Sequence, residues 1–356
     1  MKSEQAYPVL KQGPAGFHFE SPVQIGSRFA WVQIHATDAP RSAGCVQWID
    51  IPADGFSTDG LDLEVHTVSF DEPVGAVMPT SDPNKAVVAL ERRLVCLDLE
   101  DRSVSDPAGL LGAVIESNPE MRLNDCRAGF DGAVYTGLMA YDCETPMAHW
   151  GRVSAEAGYE TKIPGVKISN GFDWTEESVD DTGRAYRELI YVDSKSGRVD
   201  THDDEAAGHL ESSEIWKYRH YTEDGSLGPR EVLANMSRYV ERQVTGCPAV
   251  VDGGVMSFDT AGKPFYVATI YNGAAAFVVD VESGEVVRRI DVPALKITSV
   301  GWAGDVLVFS TTREGLSGSE PAGQDAAFEA KLAGSGNLFW VKPDGLLPRQ
   351  GFVVDL

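Results

Sequence analysis

The segment Ala276-Phe-Val-Val-Asp280, closed by the turn pair Ser283-Gly284, decides the fold. A short run of apolar and β-branched residues that ends at a glycine-containing turn is typical of a strand entering a hairpin. A similar strand-like run followed by a turn pair occurs at Glu214-Ile-Trp-Lys-Tyr218 and Asp224-Gly225. The strand-like run alone occurs again at Leu94-Val-Cys-Leu-Asp98. One hairpin unit is therefore repeated along the chain with degenerate sequence, as in the outer part of a propeller blade.

Short strand-like runs and turn pairs continue on both sides of this unit, from near residue 28 to near residue 345. The spacing of about 45 to 60 residues per unit fits roughly six blades. The sequence therefore predicts an all-β fold, a six-bladed β-propeller. A seven-bladed propeller is an alternative, and a large β-sandwich is disfavoured because the pattern continues over the whole length.

Some segments depart from this pattern. Residues 228–243 have room for a short helix, and residues 315–333 are small and polar, which favours a loop. We expect residues 1–16 to be an N-terminal extension and residues 17–356 to be a single propeller domain.

Composition restricts the partners and the location. The chain of 356 residues carries 54 acidic and 30 basic residues, a net charge of −24, so its field repels nucleic acid and anionic membranes. No apolar run reaches the ~18 residues needed to span a bilayer, and the N-terminus has no secretory signal pattern. The cysteines number five and form no CxxC pair, which favours free thiols in a reducing compartment. We therefore expect a cytoplasmic protein.

Six short motifs follow one another along the chain: Glu20-Ser-Pro-Val23, Arg122-Leu-Asn-Asp125, Asp131-Gly132, Ile168-Ser-Asn-Gly-Phe-Asp-Trp174, Tyr191-Val-Asp-Ser194 and Asn337-Leu-Phe339. In this order they resemble the SMP-30/gluconolactonase/luciferin-regenerating family, and the resemblance extends from about residue 17 to about residue 345. It implies a six-bladed propeller with one divalent cation at its centre. It also implies hydrolysis of a small-molecule substrate, a sugar lactone or related cyclic ester.

The resemblance implies three metal ligands from different blades. Glu20 matches the family's glutamate and Asn170 its asparagine. The family's Pro-Asp-Gly motif is not intact, because Ala249 follows Pro248, and Asp252 is the candidate for the third ligand. Asp252 lies two residues further from Asp259 than the family spacing, a difference that a small β-bulge would absorb. Carboxylate and amide oxygens suit a hard cation, so we expect Ca²⁺, with Mg²⁺, Mn²⁺ or Zn²⁺ as alternatives.

A mechanism follows from the same resemblance. The cation polarises the lactone carbonyl and stabilises the developing oxyanion, while Asp252 acts as general base for the attacking water. Asn124 resembles a residue that contacts the substrate or a metal-bound water. Arg122 resembles a substrate-binding arginine that hydrogen-bonds hydroxyls or a carboxylate.

Each candidate also has a purely structural interpretation. Glu20 could lie in a surface turn, Asn170-Gly171 is an ordinary turn dipeptide, Asn124 could cap a loop, and Arg122 could be an ion-pair partner. The broken Pro-Asp-Gly motif favours a non-enzymatic propeller with a vestigial metal site. An organophosphate or aryl-ester hydrolase on the same site is a further alternative. Serine-nucleophile and zincin chemistry are excluded, because neither Gly-x-Ser-x-Gly nor His-Glu-x-x-His occurs.

Overall fold

The fold is a ring of six antiparallel sheets around one axis. A computed structural model describes residues 1–356 except 12–15, 38, 40, 107–117, 155–156, 196–213, 240–242, 245–248, 317–325, 350 and 356. The first strand of each sheet packs against the first strands of both neighbouring sheets, which closes the ring. The predicted six-bladed β-propeller is confirmed.

In each blade the chain begins next to the axis and moves outward strand by strand. The strands, from inside to outside, are Phe19–Ile25, Arg28–Gln33, Gly44–Asp50 and His66–Phe70 in blade 1; Val74–Pro79, Lys85–Leu90, Arg93–Asp98 and Val104–Ser105 in blade 2; and Met121–Ala128, Val134–Ala140, Ala148–Ser154 and Gly158–Val166 in blade 3. We call the first strand of each blade its inner strand. The face where the inner strands begin is called the upper face, and the face where they end is the lower face.

Blades 4 to 6 follow the same plan. Their strands are Ser169–Trp174, Ala185–Asp193, Glu214–Tyr221 and Glu231–Asn235 in blade 4, with Ser178–Val179 paired to the second of these; Val250–Phe258, Pro264–Tyr271, Ala275–Asp280 and Val286–Asp291 in blade 5; and Ile297–Ala303, Val306–Thr311 and Leu338–Val341 in blade 6. A short strand near the C-terminus, Leu347–Pro348, pairs with the end of the blade 5 inner strand.

The beginning of the chain completes the last two blades. Tyr7–Pro8 pairs antiparallel with Leu338–Val341 and is the outermost strand of blade 6. Lys2–Gln5 pairs in parallel with Val286–Asp291 and adds a fifth strand to the outside of blade 5. Residues of the expected N-terminal extension thus contribute to two blades, and the domain boundary at residues 16 and 17 stays a prediction.

Burial explains why the middle strands are so easily recognised. Every residue of Ala275–Asp280 is buried, because this strand lies between the apolar faces of two neighbouring blades. A strand covered on both faces reads as a continuous apolar run. The outermost strand His66–Phe70 instead alternates between partly buried and exposed residues, since only one of its faces meets a neighbour.

Two local predictions were wrong. Residues 231–235 form the outer strand of blade 4, paired with Glu214–Lys217, and not a short helix. The predicted loop 315–333 contains all but the last residue of the helix Ala326–Gly334, whose alanine, leucine, glutamate and lysine are strong helix formers. Residues 317–325 lie outside the described part of the chain. This helix has 9 residues, and no helix in the described ranges is long and apolar enough to cross a membrane.

A buried histidine lies inside an aromatic cluster between blades 3 and 4. The His220 ring is fully buried and packs edge-on against Phe130, Tyr135 and Trp150. Its Nδ1 accepts a hydrogen bond of 3.0 Å from Nε1 of Trp174. Burial is the main cause that lowers the pKa of His220 from 6.5 to about 4, so the ring is neutral at pH 7.

This histidine should make the protein less stable in mild acid. Between pH 6.5 and about 4 only the unfolded chain binds a proton at His220, so the free energy of unfolding falls as the pH falls. We expect His220→Gln to reduce the loss of stability between pH 7 and pH 4.5 by about 2 to 3 kcal/mol, measured by urea denaturation. His66→Gln, on an outer strand, is the control. Equal pH dependence of wild type and His220→Gln would contradict this assignment.

Candidate functional site

The inner strands share a local distortion at the same level of the channel. In each inner strand, the pairing with the second strand of the blade shifts in register after the first one to three paired residues. The shifts lie between Glu20 and Val23, Val74 and Ala76, Leu123 and Cys126, Ser169 and Phe172, Val251 and Gly254, and Ile297 and Ser299. Because a β-bulge redirects the side chains of the residues it contains, this level of the channel can collect polar groups from all six blades.

The candidate residues lie at or inside these bulges. Glu20 borders the shift in blade 1, Asn124 lies within that of blade 3, Asn170 within that of blade 4 and Asp252 within that of blade 5. The interpretation of Asn170 and Asn124 as turn or loop-cap residues is therefore wrong, since both lie in inner strands. The extra spacing of Asp252 coincides with a bulge between Val251 and Gly254; Pro248 lies outside the described residues.

A chain of hydrogen bonds joins three blades at this level. Arg122 Nη1 donates to Asn124 Oδ1 at 2.9 Å, and Asn124 Nδ2 donates to Asn170 Oδ1 at 2.6 Å. Asn170 Nδ2 donates to Ser194 Oγ at 2.5 Å, and this hydroxyl donates to the Val251 carbonyl at 2.6 Å. The chain fixes the orientation of both amides, and it ends beside the backbone of Asp252.

Three carboxyl groups from different blades act on one another. Glu20 and Asp252 are 7% and 6% exposed. Burial, followed by the charge of Glu20, raises the pKa of Asp125 to about 7. Burial, followed by the charges of Glu20 and Asp125, holds the pKa of Asp252 well above its usual range. The carboxyl groups therefore repel one another, and the charges of Arg127 and Arg122 offset this only in part at Asp125.

The environment of Glu20 suits a cation. The Glu20 Oε2 atom is buried and has no hydrogen-bond partner among the described residues. Among the same residues, the only ion-pair contact of Glu20 joins its Oε1 to Nε2 of His18, 3.7 Å away. In the described part of the chain no three His, Cys, Asp or Glu side chains converge closely enough to hold a metal ion by themselves. A cation here would need an amide oxygen as well, and Asn170, in the inner strand of blade 4, is the candidate for it. Such a mixed set of carboxylate and amide oxygens fits a hard divalent cation.

Two further residues lie on the upper side of this site: His18, which the sequence suggests is a packed strand residue, and Glu314, which sequence reasoning missed. His18 is buried, and its Nδ1 lies 3.0 Å from Oε2 of Glu314, which follows the second strand of blade 6. Burial opposes protonation of His18, but Glu314 and Glu20 outweigh it and raise its pKa to about 9. The His18 charge, in turn, lowers the pKa of Glu314 to about 2. Asp125 was also missed, although it is the neighbour of Asn124 in the quoted motif.

A cavity of about 570 Å³ opens on the lower side of the site. It reaches Asp125 at its inner end, and Arg127, Trp302 and Phe352 line its walls. The C-terminal segment that follows Leu347–Pro348 runs along its rim, where Val354 N donates to the Pro79 carbonyl. The carboxyl cluster therefore lies within the channel, between this cavity and the upper face.

The fold and the site together define a propeller with a polar centre of acidic and amide side chains. Its family is settled by sequence: residues 39–311 match the family described as SMP-30/Gluconolactonase/LRE-like region, and the chain belongs to this family. The resemblance predicted from the short motifs is confirmed.

Several relatives place the chain within this family at low identity. Regucalcin of Danio rerio is 25% identical over 72% of this chain and 74% of its own length. The pentonolactonase XacC of Haloferax volcanii is 27% identical over 60% of each chain. Among solved structures, luciferin-regenerating enzyme superposes with a TM-score of 0.69 over 99% of both chains at 17% identity. The calcium-binding protein regucalcin from Agrobacterium tumefaciens has a TM-score of 0.67, full coverage of both chains and 19% identity. At these identities the superpositions show the fold alone.

Proposed function

We propose that this protein is a metal-dependent hydrolase that opens a sugar lactone or a related cyclic ester. The observation that carries the proposal is the pair of buried carboxylates, Glu20 and Asp252, beside the fixed amide of Asn170 at one level of the propeller axis. A non-enzymatic scaffold has no need for such a costly arrangement. The name of one relative, a pentonolactonase, supports the same reaction.

Glu20, Asn170 and Asp252 are the residues that would hold the cation, which we take to be Ca²⁺, with Mg²⁺, Mn²⁺ and Zn²⁺ as alternatives for the test. When bound, the cation supplies Lewis-acid polarisation of the lactone carbonyl and charge stabilisation of the oxyanion. The hydrogen bonds with Asn124 and Ser194 hold the Asn170 amide in one orientation. The proposed ligand is therefore preorganised for the cation.

Asp252 is placed to accept a proton from the attacking water. Burial and the charges of Glu20 and Asp125 hold its pKa well above the usual range in the absence of the cation. A bound cation would lower this pKa and leave the carboxylate ionised, in the form that can accept a proton. Water adds to the lactone carbonyl as its proton passes to Asp252. The ring C–O bond then breaks, and the departing alkoxide takes a proton to give the hydroxy acid. Arg122 and Asn124 would orient the substrate above this centre.

Metal content and hydrolysis should be measured on the same preparation. We expect about one divalent ion per chain, and lactone opening that EDTA abolishes and Ca²⁺ restores. Hydrolysis is followed by the acid released from D-glucono-1,5-lactone, with aryl esters and a phosphotriester tested in parallel. A preference for the phosphotriester or the aryl ester would replace lactones as the substrate class. Absence of both metal and hydrolysis would identify a scaffold with a vestigial site.

A further inference from the structure

Arg122 is a buried cation without an ionic partner. The residue is 5% exposed, yet no described carboxylate lies within 4.0 Å of its guanidinium, so the ion-pair interpretation of this arginine is wrong for the described part of the chain. Its Nη1 donates to the Leu123 carbonyl and to Asn124 Oδ1, each at 2.9 Å. Its Nε and Nη2 donate to no described residue, and neither is sealed from solvent.

The ionisable groups that act most strongly on Arg122 carry no charge, and the carboxylates Glu314 and Glu20 act on it more weakly. The ionisable groups that act on it most strongly are Tyr141 and Cys143. Burial raises the pKa of both, so both are neutral at pH 7. Burial also lowers the pKa of Arg122, which is the sign of a desolvated charge. A guanidinium remains ionised under these conditions, and no described carboxylate contacts it, so a bound anion would form its first direct ion pair.

The free edge of the guanidinium also has a defined shape. Nη1 is occupied on one side, and the Nε–H and Nη2–H groups that remain form the fork that matches the two oxygens of a carboxylate. A neutral sugar hydroxyl can use only part of this fork and leaves the charge uncompensated. The hydrogen bond from Arg122 to Asn124, and from there to Asn170, places this fork next to the proposed cation site.

We propose that the substrate of this site is a lactone that carries a free carboxylate, the monolactone of a sugar dicarboxylic acid, and that Arg122 binds this carboxylate. The inference rests on the proposed lactone hydrolysis and adds the substrate class. The carboxylate lies against the Nε and Nη2 edge of Arg122, and the lactone carbonyl faces the centre formed by Glu20, Asn170 and Asp252.

The test compares two lactones with the same ring. D-glucaro-1,4-lactone differs from D-glucono-1,4-lactone only in having a carboxylate where the other has a hydroxymethyl group. For the calcium-loaded protein we expect kcat/KM to be at least about 10-fold higher for the carboxylate lactone, as is typical of a charge-assisted bidentate pair. Equal values, or a preference for the neutral lactone, would overturn the inference and leave the proposed hydrolysis intact.

Variants connect this preference to Arg122. Arg122→Met should lower kcat/KM for the carboxylate lactone about 100-fold and for the neutral lactone less than 10-fold, while Arg122→Lys should retain part of the preference. Arg230→Met removes an exposed guanidinium that lies over Trp216 in blade 4, and should leave both values unchanged. Calcium affinity, measured by calorimetry, should stay within about 3-fold in Arg122→Met. An unchanged preference in Arg122→Met would contradict the role of Arg122.

Binding of the two lactones in EDTA separates the two proposals. Tighter binding of the carboxylate lactone without any hydrolysis after calcium addition would uphold the carboxylate site and overturn the hydrolase. Hydrolysis of both lactones with equal binding would uphold the hydrolase and overturn the carboxylate site.

Discussion

Replacing Asp252 with asparagine is expected to lower kcat for lactone hydrolysis about 10³-fold at saturating calcium, the range found when a general base is removed. Asparagine keeps the size of the side chain but cannot accept a proton. Asp252 is the carboxyl group on which burial, Glu20 and Asp125 act together, and its replacement removes the proposed base. Calorimetry of the same variant should show weaker calcium binding, because one anionic ligand is lost.

The control for this variant lies on the same blade. Asp259 follows the blade 5 inner strand, at the lower face, and accepts hydrogen bonds from the backbone of Ala261 and Lys263. Asp259→Asn should change kcat less than 2-fold. If Asp252→Asn kept more than a tenth of the wild-type kcat at saturating calcium, Asp252 would not be the base. Asp125→Asn would then be expected to show the loss.

The repeating blades could be predicted from sequence because their middle strands are buried on both faces. Segments such as Ala275–Asp280 and Arg93–Asp98 are short apolar runs that end at turns. In the structure they are the third strands of blades 5 and 2. The contribution of Lys2–Gln5 and Tyr7–Pro8 to the last blades could not be predicted in this way. These strands are short and mostly exposed. Only their pairing partners identify them, and these lie far along the chain: Lys2 pairs with Arg288, and Tyr7 pairs with Trp340.

The inner strands were harder to predict because they carry the site. Met121–Ala128 and Ser169–Trp174 contain bulges with polar residues, which break the alternation on which a strand prediction depends. Asn170-Gly171 therefore has the composition of a turn although it lies within a strand. Only the family motifs identified Asn124 and Asn170. Glu314 carries no motif, and only the ring closure brings it to His18, 296 residues earlier in the chain.

A second buried network holds the C-terminal segment against the lower side of the channel. Asp173, in the blade 4 inner strand, is 3% exposed. Arg349 Nη2 donates to its Oδ1 at 2.8 Å, the Met256 backbone N–H donates to its Oδ2 at 2.9 Å, and Arg127 Nη1 lies 3.8 Å away. Burial opposes ionisation of Asp173, but Arg349 and Arg127 outweigh it and lower its pKa. The carboxylate therefore connects blades 3, 4 and 5 to the end of the chain.

Asp173→Asn should lower the free energy of unfolding by about 3 to 5 kcal/mol, because it leaves two arginines beside a buried neutral group. Guanidinium chloride denaturation at pH 7 measures this as a lower midpoint with an unchanged slope. Asp181→Asn, in the exposed turn of the same blade, should change the midpoint little. Arg349→Met should also destabilise the protein, and the double variant should lose at least about 1 kcal/mol less than the sum of the single losses. Strict additivity would mean that Asp173 acts through the blades alone, and not through the C-terminal segment.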